Sequence, residues 1–206
     1  GVFMTTDRVN HFLFKDYERD GENKEAFMEF YRSVDDYLGR IREMLADDVT
    51  LVVASDHGFT SLDYEVHCNA WLRKEGWLSF DNDDHDDLTD IAEESRAYSL
   101  IPGRFYINLE GREPRGSVHE DEYEAVRAEL KAALEALEGP DGKKVCERVV
   151  EKEDAFRGAH DDIAPDLVAI PNHGFDLKSG FKRHEDVFDV GPRNGMHSFD
   201  NATLAV

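Results

Sequence analysis

Asp56 and His57 stand side by side behind an apolar run, Leu51–Ala54, with Gly58 immediately after them. A hard carboxylate next to a borderline imidazole suits Zn²⁺ or a similar divalent ion. Two distant segments offer the same chemistry: Asp7 with His11 four residues on, and His197 within GMHSFDN, residues 195–201. Each pair alone reads equally well as polar loop residues. Three such groups, each beside a short β-type run, are expected to form one centre, because ligands in a parallel α/β sheet gather at the carboxyl ends of the strands.

The elements that must position them follow from periodicity. Residues 1–11 read as a strand-like run ending near Asp7, and Thr50–Ala54 as a buried parallel strand ending at Asp56. Between them, apolar residues at Phe27, Phe30, Tyr31, Val34, Tyr37, Leu38, Ile41, Met44 and Leu45 predict a helix over 24–45 with one buried stripe. Strand, helix and strand make a βαβ unit with the metal-bearing strands parallel. Beyond Gly58 the sequence reads as a loop. A short helix capped by Asn69 and stopped by Gly76 follows, with Trp71 and Trp77 packing around it.

Residues 81–94 form an acidic loop whose DNDDHDD lacks the glycine and terminal Glu of a calcium loop, so solvated charge is the reading. Residues 97–109 predict strand, Pro-Gly turn and strand. Ser117 and Glu120 suggest a capping box for a helix reaching about Glu138, and 145–150 and 166–170 are further strands. His67, His85, His119 and His184 are expected at the surface. His160 and His173, flanking APDLVAIP, read as surface or cleft-lining residues, and Arg193 and Asn194 as surface groups or phosphate contacts.

The set D-x-x-x-H, D-H-G and G-x-H-S resembles the alkaline phosphatase superfamily, in its type I phosphodiesterase/nucleotide pyrophosphatase branch with the related phosphohydrolase/phosphomutase group. TTDRVNHFLF, SDHGF, NAWLRKEGWL, FYINLEGREPRG and APDLVAIP support it in order along the chain. The resemblance implies an α/β fold: an alkaline-phosphatase-like core with parallel strands and flanking helices over 1–95 and 186–206, and an α+β insertion or cap over 96–185. It further implies two divalent ions, Zn or Mn, with Asp7, His11 and His197 binding one and Asp56 and His57 contributing to the other. In the family a further Asp and the Thr or Ser nucleophile precede the D-x-x-x-H motif. This chain is therefore expected to be a carboxyl-terminal portion, inactive alone, of an enzyme acting on a small phosphoester. Phosphoglycerate-mutase-like phosphotransfer and a non-catalytic metal-binding module are the alternatives.

Composition narrows the partners. Among 206 residues, 24 Lys and Arg against 46 Asp and Glu give a net charge of −22, which argues against a nucleic-acid-binding surface. An apolar fraction of 40% is that of a folded chain. The spread of the acids fits a surface adapted to high salt, with loss of structure expected at low ionic strength. Cys68 and Cys146 show no metal or redox spacing and read as reduced, cytoplasmic thiols. No apolar run is long enough to span a membrane.

Overall fold

The computed structural model describes all 206 residues as a mixed α/β chain. Its elements are α1 (Met4–Glu18), α2 (Lys24–Met44), β1 (Val53–Ala54), β2 (Gly58–His67), α3 (Cys68–Lys74), β3 (Ala97–Ile101) and β4 (Arg104–Ile107). They continue with α4 (Tyr123–Ala136), β5 (Cys146–Glu151), α5 (Lys152–Ala155), β6 (Leu167–Pro171), β7 (Gly174–Lys178), β8 (Phe188–Asp189), β9 (Gly195–Ser198) and β10 (Leu204–Ala205). The chain divides into two compact units, Gly1–Asp63 with Val190–Val206, and Tyr64–Asp189. The second takes in residues 64–95, which the sequence reading gave to the metal-bearing part. No helix is long and apolar enough to cross a membrane.

In the first unit the segment read as a strand is the helix α1. Val2, Phe3 and the β-branched Thr5 and Thr6 favour extended backbone locally, but Asn10, Phe14 and Tyr17 recur at helical spacing and find partners on α2. Tyr17 stacks on Phe27 with ring centroids 4.7 Å apart, Phe14 meets Phe27 edge-on, and Asn10 Nδ2 donates to the Tyr31 hydroxyl at 2.8 Å. Tertiary packing of this stripe overrides local propensity. Past its end, Asp20 adopts a left-handed conformation, φ 55°, that turns the chain into α2.

The helix α2 lies where its periodicity predicts, but only Phe27 on it is buried, while Tyr37, Ile41 and Met44 stay exposed. The expected buried parallel strand is two residues long. Val53 and Ala54 pair antiparallel with Ala205 and Leu204, and Val52 remains open to solvent. A run of apolar residues makes a buried strand only when both faces are covered, and here they are not. The predicted loop after Gly58 is the ten-residue β2, whose first four residues pair antiparallel with β9. The segments expected to bear metal ligands thus sit on a helix and an antiparallel ladder, not on a βαβ unit.

At the far end of α1, Arg19 grips Asp63 with two hydrogen bonds of 2.9 Å, and Lys15 Nζ lies 2.7 Å from the same carboxylate. The Arg19 guanidinium, with Lys15 beside it, holds the Asp63 carboxyl down to about 2 against the opposing effect of burial.

The second unit carries the larger core. Antiparallel strands in the order β3-β4-β6-β5 form its main sheet, with Gly103 at φ 72° making the predicted Pro-Gly turn. The helix α4 packs on β4, β5 and β6 through Val126, Leu130 and Leu134. It starts later than the sequence reading placed it, because Ser117 Oγ donates to the Ser95 carbonyl and caps no helix. Asn69 likewise is not a cap. It lies inside α3, and its amide exchanges two 2.8 Å hydrogen bonds with the Ser99 backbone of β3.

Trp71 and Trp77 are buried. So is His85, expected at the surface: its ring stacks on Phe80 at 3.5 Å and Nδ1 meets the Phe181 carbonyl. His67 is half-buried, stacked on His184 at 3.6 Å. His119, His160 and His173 are exposed. Cys68 and Cys146 are both free and buried, which raises each thiol to about 12.

At the centre of this unit the fully buried Asp166 receives Arg112 through two hydrogen bonds of 2.8 and 2.7 Å, the Tyr123 hydroxyl at 2.6 Å and the Ile107 amide at 2.7 Å. Burial works to raise its carboxyl, but these donors outweigh burial and hold it below the ordinary value.

Candidate metal centre

The cluster lies wholly within the first unit and is built from three segments. On α1, Asp7 and His11 are one helical turn apart and share a face, with His11 Nε2 3.6 Å from Asp7 Oδ1. On β9, His197 brings Nε2 to 3.0 Å from the same oxygen. The ligand atoms of Asp7, His11 and His197 lie within 4.8 Å of one another. His57, just before β2, places Nε2 3.9 Å from Asp7 Oδ1 and 3.7 Å from Asp56 Oδ1. Asp56 itself is 91% exposed and touches the group only through His57. One carboxylate oxygen therefore faces three imidazoles.

Backbone carbonyls fix two of the rings. His11 Nδ1 lies 2.9 Å from the Gly195 carbonyl and His57 Nδ1 3.1 Å from the Gly58 carbonyl. A carbonyl only accepts, so each Nδ1 carries a proton and Nε2 is the ring atom directed at Asp7. Burial, helped by His57 and His11 alongside, holds the His197 imidazole below the ordinary histidine value, although Asp7 works the other way. Phe59 forms the apolar floor, with its ring 5.1 Å from His11, 5.1 Å from His197 and 5.5 Å from His57.

The ladder Gly58↔Ser198 and Phe59↔His197 ends one residue from His57, and the His57 and His197 rings stack at 3.7 Å. Both motif glycines are demanded by close approach. A Cβ on Gly195 would strike the Asn10 carbonyl and Phe14 of α1, and one on Gly58 would strike the side chain of Asn201. These are the contacts that let helix and strands come near enough for their ligands to meet.

The sequence of residues 1–200 matches the family model for type I phosphodiesterase / nucleotide pyrophosphatase. The chain belongs to this family. Searches of curated proteins and of solved structures each returned no match.

In this phosphodiesterase-family chain, then, all five residues singled out in the sequence fall in one neighbourhood. Asp7, His11 and His197 form its tight part, and Asp56 and His57 flank it. Asn194 is not turned to a ligand: its backbone amide donates to the His11 carbonyl at 2.8 Å and its side chain accepts from the Lys15 amide. Neither His160 nor His173 belongs to the cluster, since both lie in the other unit. Sequence reasoning missed Phe59 and the Gly195 carbonyl. The glycines within D-H-G and G-x-H-S were the available signal, since a glycine beside a ligand marks a place where backbone approaches closely.

Proposed function

We propose that this chain carries the metal centre of a phosphoester hydrolase of the phosphodiesterase/nucleotide pyrophosphatase kind, in which Asp7, His11 and His197 hold one divalent ion and Asp56 and His57 contribute to a second. The convergence of three ligand atoms within 4.8 Å carries this reading. One carboxylate and two imidazoles, with His11 Nδ1 occupied by a carbonyl, are a donor set that Zn²⁺ and Mn²⁺ accept. Bound ions of this kind stabilise the phosphoryl oxygens and activate an oxygen nucleophile. The protein's own groups prepare for that. Asp7 supplies the negative charge between the imidazoles, Gly195 and Gly58 fix the orientation of two rings, and Phe59 keeps water from beneath them.

The nucleophile is assigned outside this set. Of the hydroxyls next to the ligands, Thr6 Oγ donates to the Phe3 carbonyl, Ser198 Oγ to Asn201, and Ser55 Oγ accepts from the Thr203 amide. On this reading the chain alone does not turn over substrate, and residues 96–185, within the unit Tyr64–Asp189, are the α+β insertion or cap of an alkaline-phosphatase-like core. The same engaged hydroxyls favour the second reading, a non-catalytic metal-binding module. The two free cysteines fit a cytoplasmic setting.

The test is titration of the wild type and of His197→Ala with Zn²⁺ and Mn²⁺ in high salt. Saturable binding in the wild type, lost in the variant, is expected; equal binding in both would overturn the ligand set. Hydrolysis of a chromogenic phosphodiester by the wild-type chain alone would overturn the placement of the nucleophile.

A further inference from the structure

We infer that Asn201 is a positioning residue for this centre, the side chain that sets His57 against His197; as a role in metal binding, this rests on the ligand assignment above. The β2–β9 ladder ends at the pair Gly58↔Ser198, one residue short of His57. The two segments pair again only from the Ser55 amide, which donates to the Thr203 carbonyl at 2.9 Å, so Asp56 and His57 lie in a gap between two stretches of pairing, where the His57 and His197 rings stack at 3.7 Å. Asn201 braces the edge of this gap. Its Nδ2 donates to the Phe59 carbonyl of β2 at 2.9 Å, and its Oδ1 accepts from Ser198 Oγ of β9.

A side-chain amide has the donor and acceptor of a peptide group, so it can brace the last two rungs from the side. The chain uses the same device where Asn69 exchanges hydrogen bonds with the Ser99 backbone. Asn201 fits because residue 58 is glycine: a Cβ there would occupy the space of its amide. Gly58 and Asn201 are therefore one device, divided between the D-H-G segment and the end of GMHSFDN. By contrast α1 sets Asp7 against His11, and that pair does not depend on Asn201.

Two measurements on the wild type, Asn201→Ala and Asn201→Asp test this. In the metal-free protein, ring-proton cross-relaxation between His57 and His197 is expected in the wild type. In Asn201→Ala it should be lost, while the contact between the His11 and Phe59 rings persists. Asn201→Asp keeps the acceptor for Ser198 but cannot donate to the Phe59 carbonyl, and it should behave like the Ala variant. In Co²⁺ titrations followed by visible absorption, affinity should fall about 10- to 100-fold in both variants, with a changed spectrum. Gly58→Ala should reproduce the loss, and combining it with Asn201→Ala should add little.

An unchanged His57–His197 contact in both variants, or Co²⁺ binding and spectra equal to wild type, would overturn the role of Asn201. No saturable Co²⁺ binding by the wild type would instead overturn its role in metal binding together with the ligand assignment, and the ring contacts would still decide whether Asn201 sets the two histidines.

Discussion

The two units of this chain solve different problems with the same kinds of residue. Tyr64–Asp189 buries Leu72, Leu78, Phe105, Ile107, Leu130, Leu134, Val145, Leu167 and Phe175 almost completely around the Asp166 network. Gly1–Asp63 with Val190–Val206 buries Phe27, Phe59, Leu62 and Met196, and leaves Phe12, Tyr37, Met44, Val52 and Leu204 exposed. The residues proposed as metal ligands are all in the unit with the thinner core. There, position is set by aromatic contacts, glycine-permitted approaches and a few charged hydrogen bonds, whereas in the other unit it is set by close-packed volume.

The largest effect that would sharpen this contrast is Asp166→Ala. Removing the carboxylate strands the Arg112 guanidinium and the Tyr123 hydroxyl at the centre of the better-packed unit. A loss of about 3–5 kcal/mol is expected in urea unfolding, and a loss below about 1 kcal/mol would show that the network does not organise that core. Asp63→Asn should cost less, up to about 2 kcal/mol at neutral pH. Its sign follows from the depressed carboxyl: the ion pairs stabilise the fold above the unfolded-state value near 4 and are lost as pH falls through about 2. Acid unfolding of wild type and variant should therefore converge toward pH 2, and a gap that persists there would remove Asp63 from the account. Met44→Ser, on the uncovered end of the α2 stripe, should change stability by no more than about 0.5 kcal/mol. A loss above about 2 kcal/mol would mean that this side chain is covered in solution.

The sequence was most legible where local and tertiary preferences agree. The periodicity of α2 and α4, the Pro102-Gly103 turn and the apolar runs of β5 and β6 each point one way, and the structure follows them. It misled where they conflict. The β-branched start of α1 outweighed, on local reading, the Asn10, Phe14 and Tyr17 stripe that decides the matter once α2 is in place. Leu51–Ala54 looked buried because apolar content says nothing about what covers it, and His85 looked solvated because the acids around it say nothing of Phe80 and Phe181.

For the cluster, the identities Asp7, His11, Asp56, His57 and His197 were readable from residue type and order. Their manner of meeting was not, since no spacing in the sequence announces that Gly195 lies against Asn10 or that Asn201 reaches Phe59.

The grip of Lys15 and Arg19 on Asp63 makes α1 a lever. From Lys15 to Asp7 the helix rises about 12 Å, so a tilt of about 5° at the clamp would swing the Asp7 carboxylate by about 1 Å, twice the tolerance of about 0.5 Å that a preorganised centre allows. Beside the direct ties of His11 to Gly195 and Asn194, a salt bridge more than two helical turns away thus has leverage on the Asp7 carboxylate, although it touches none of the clustered side chains.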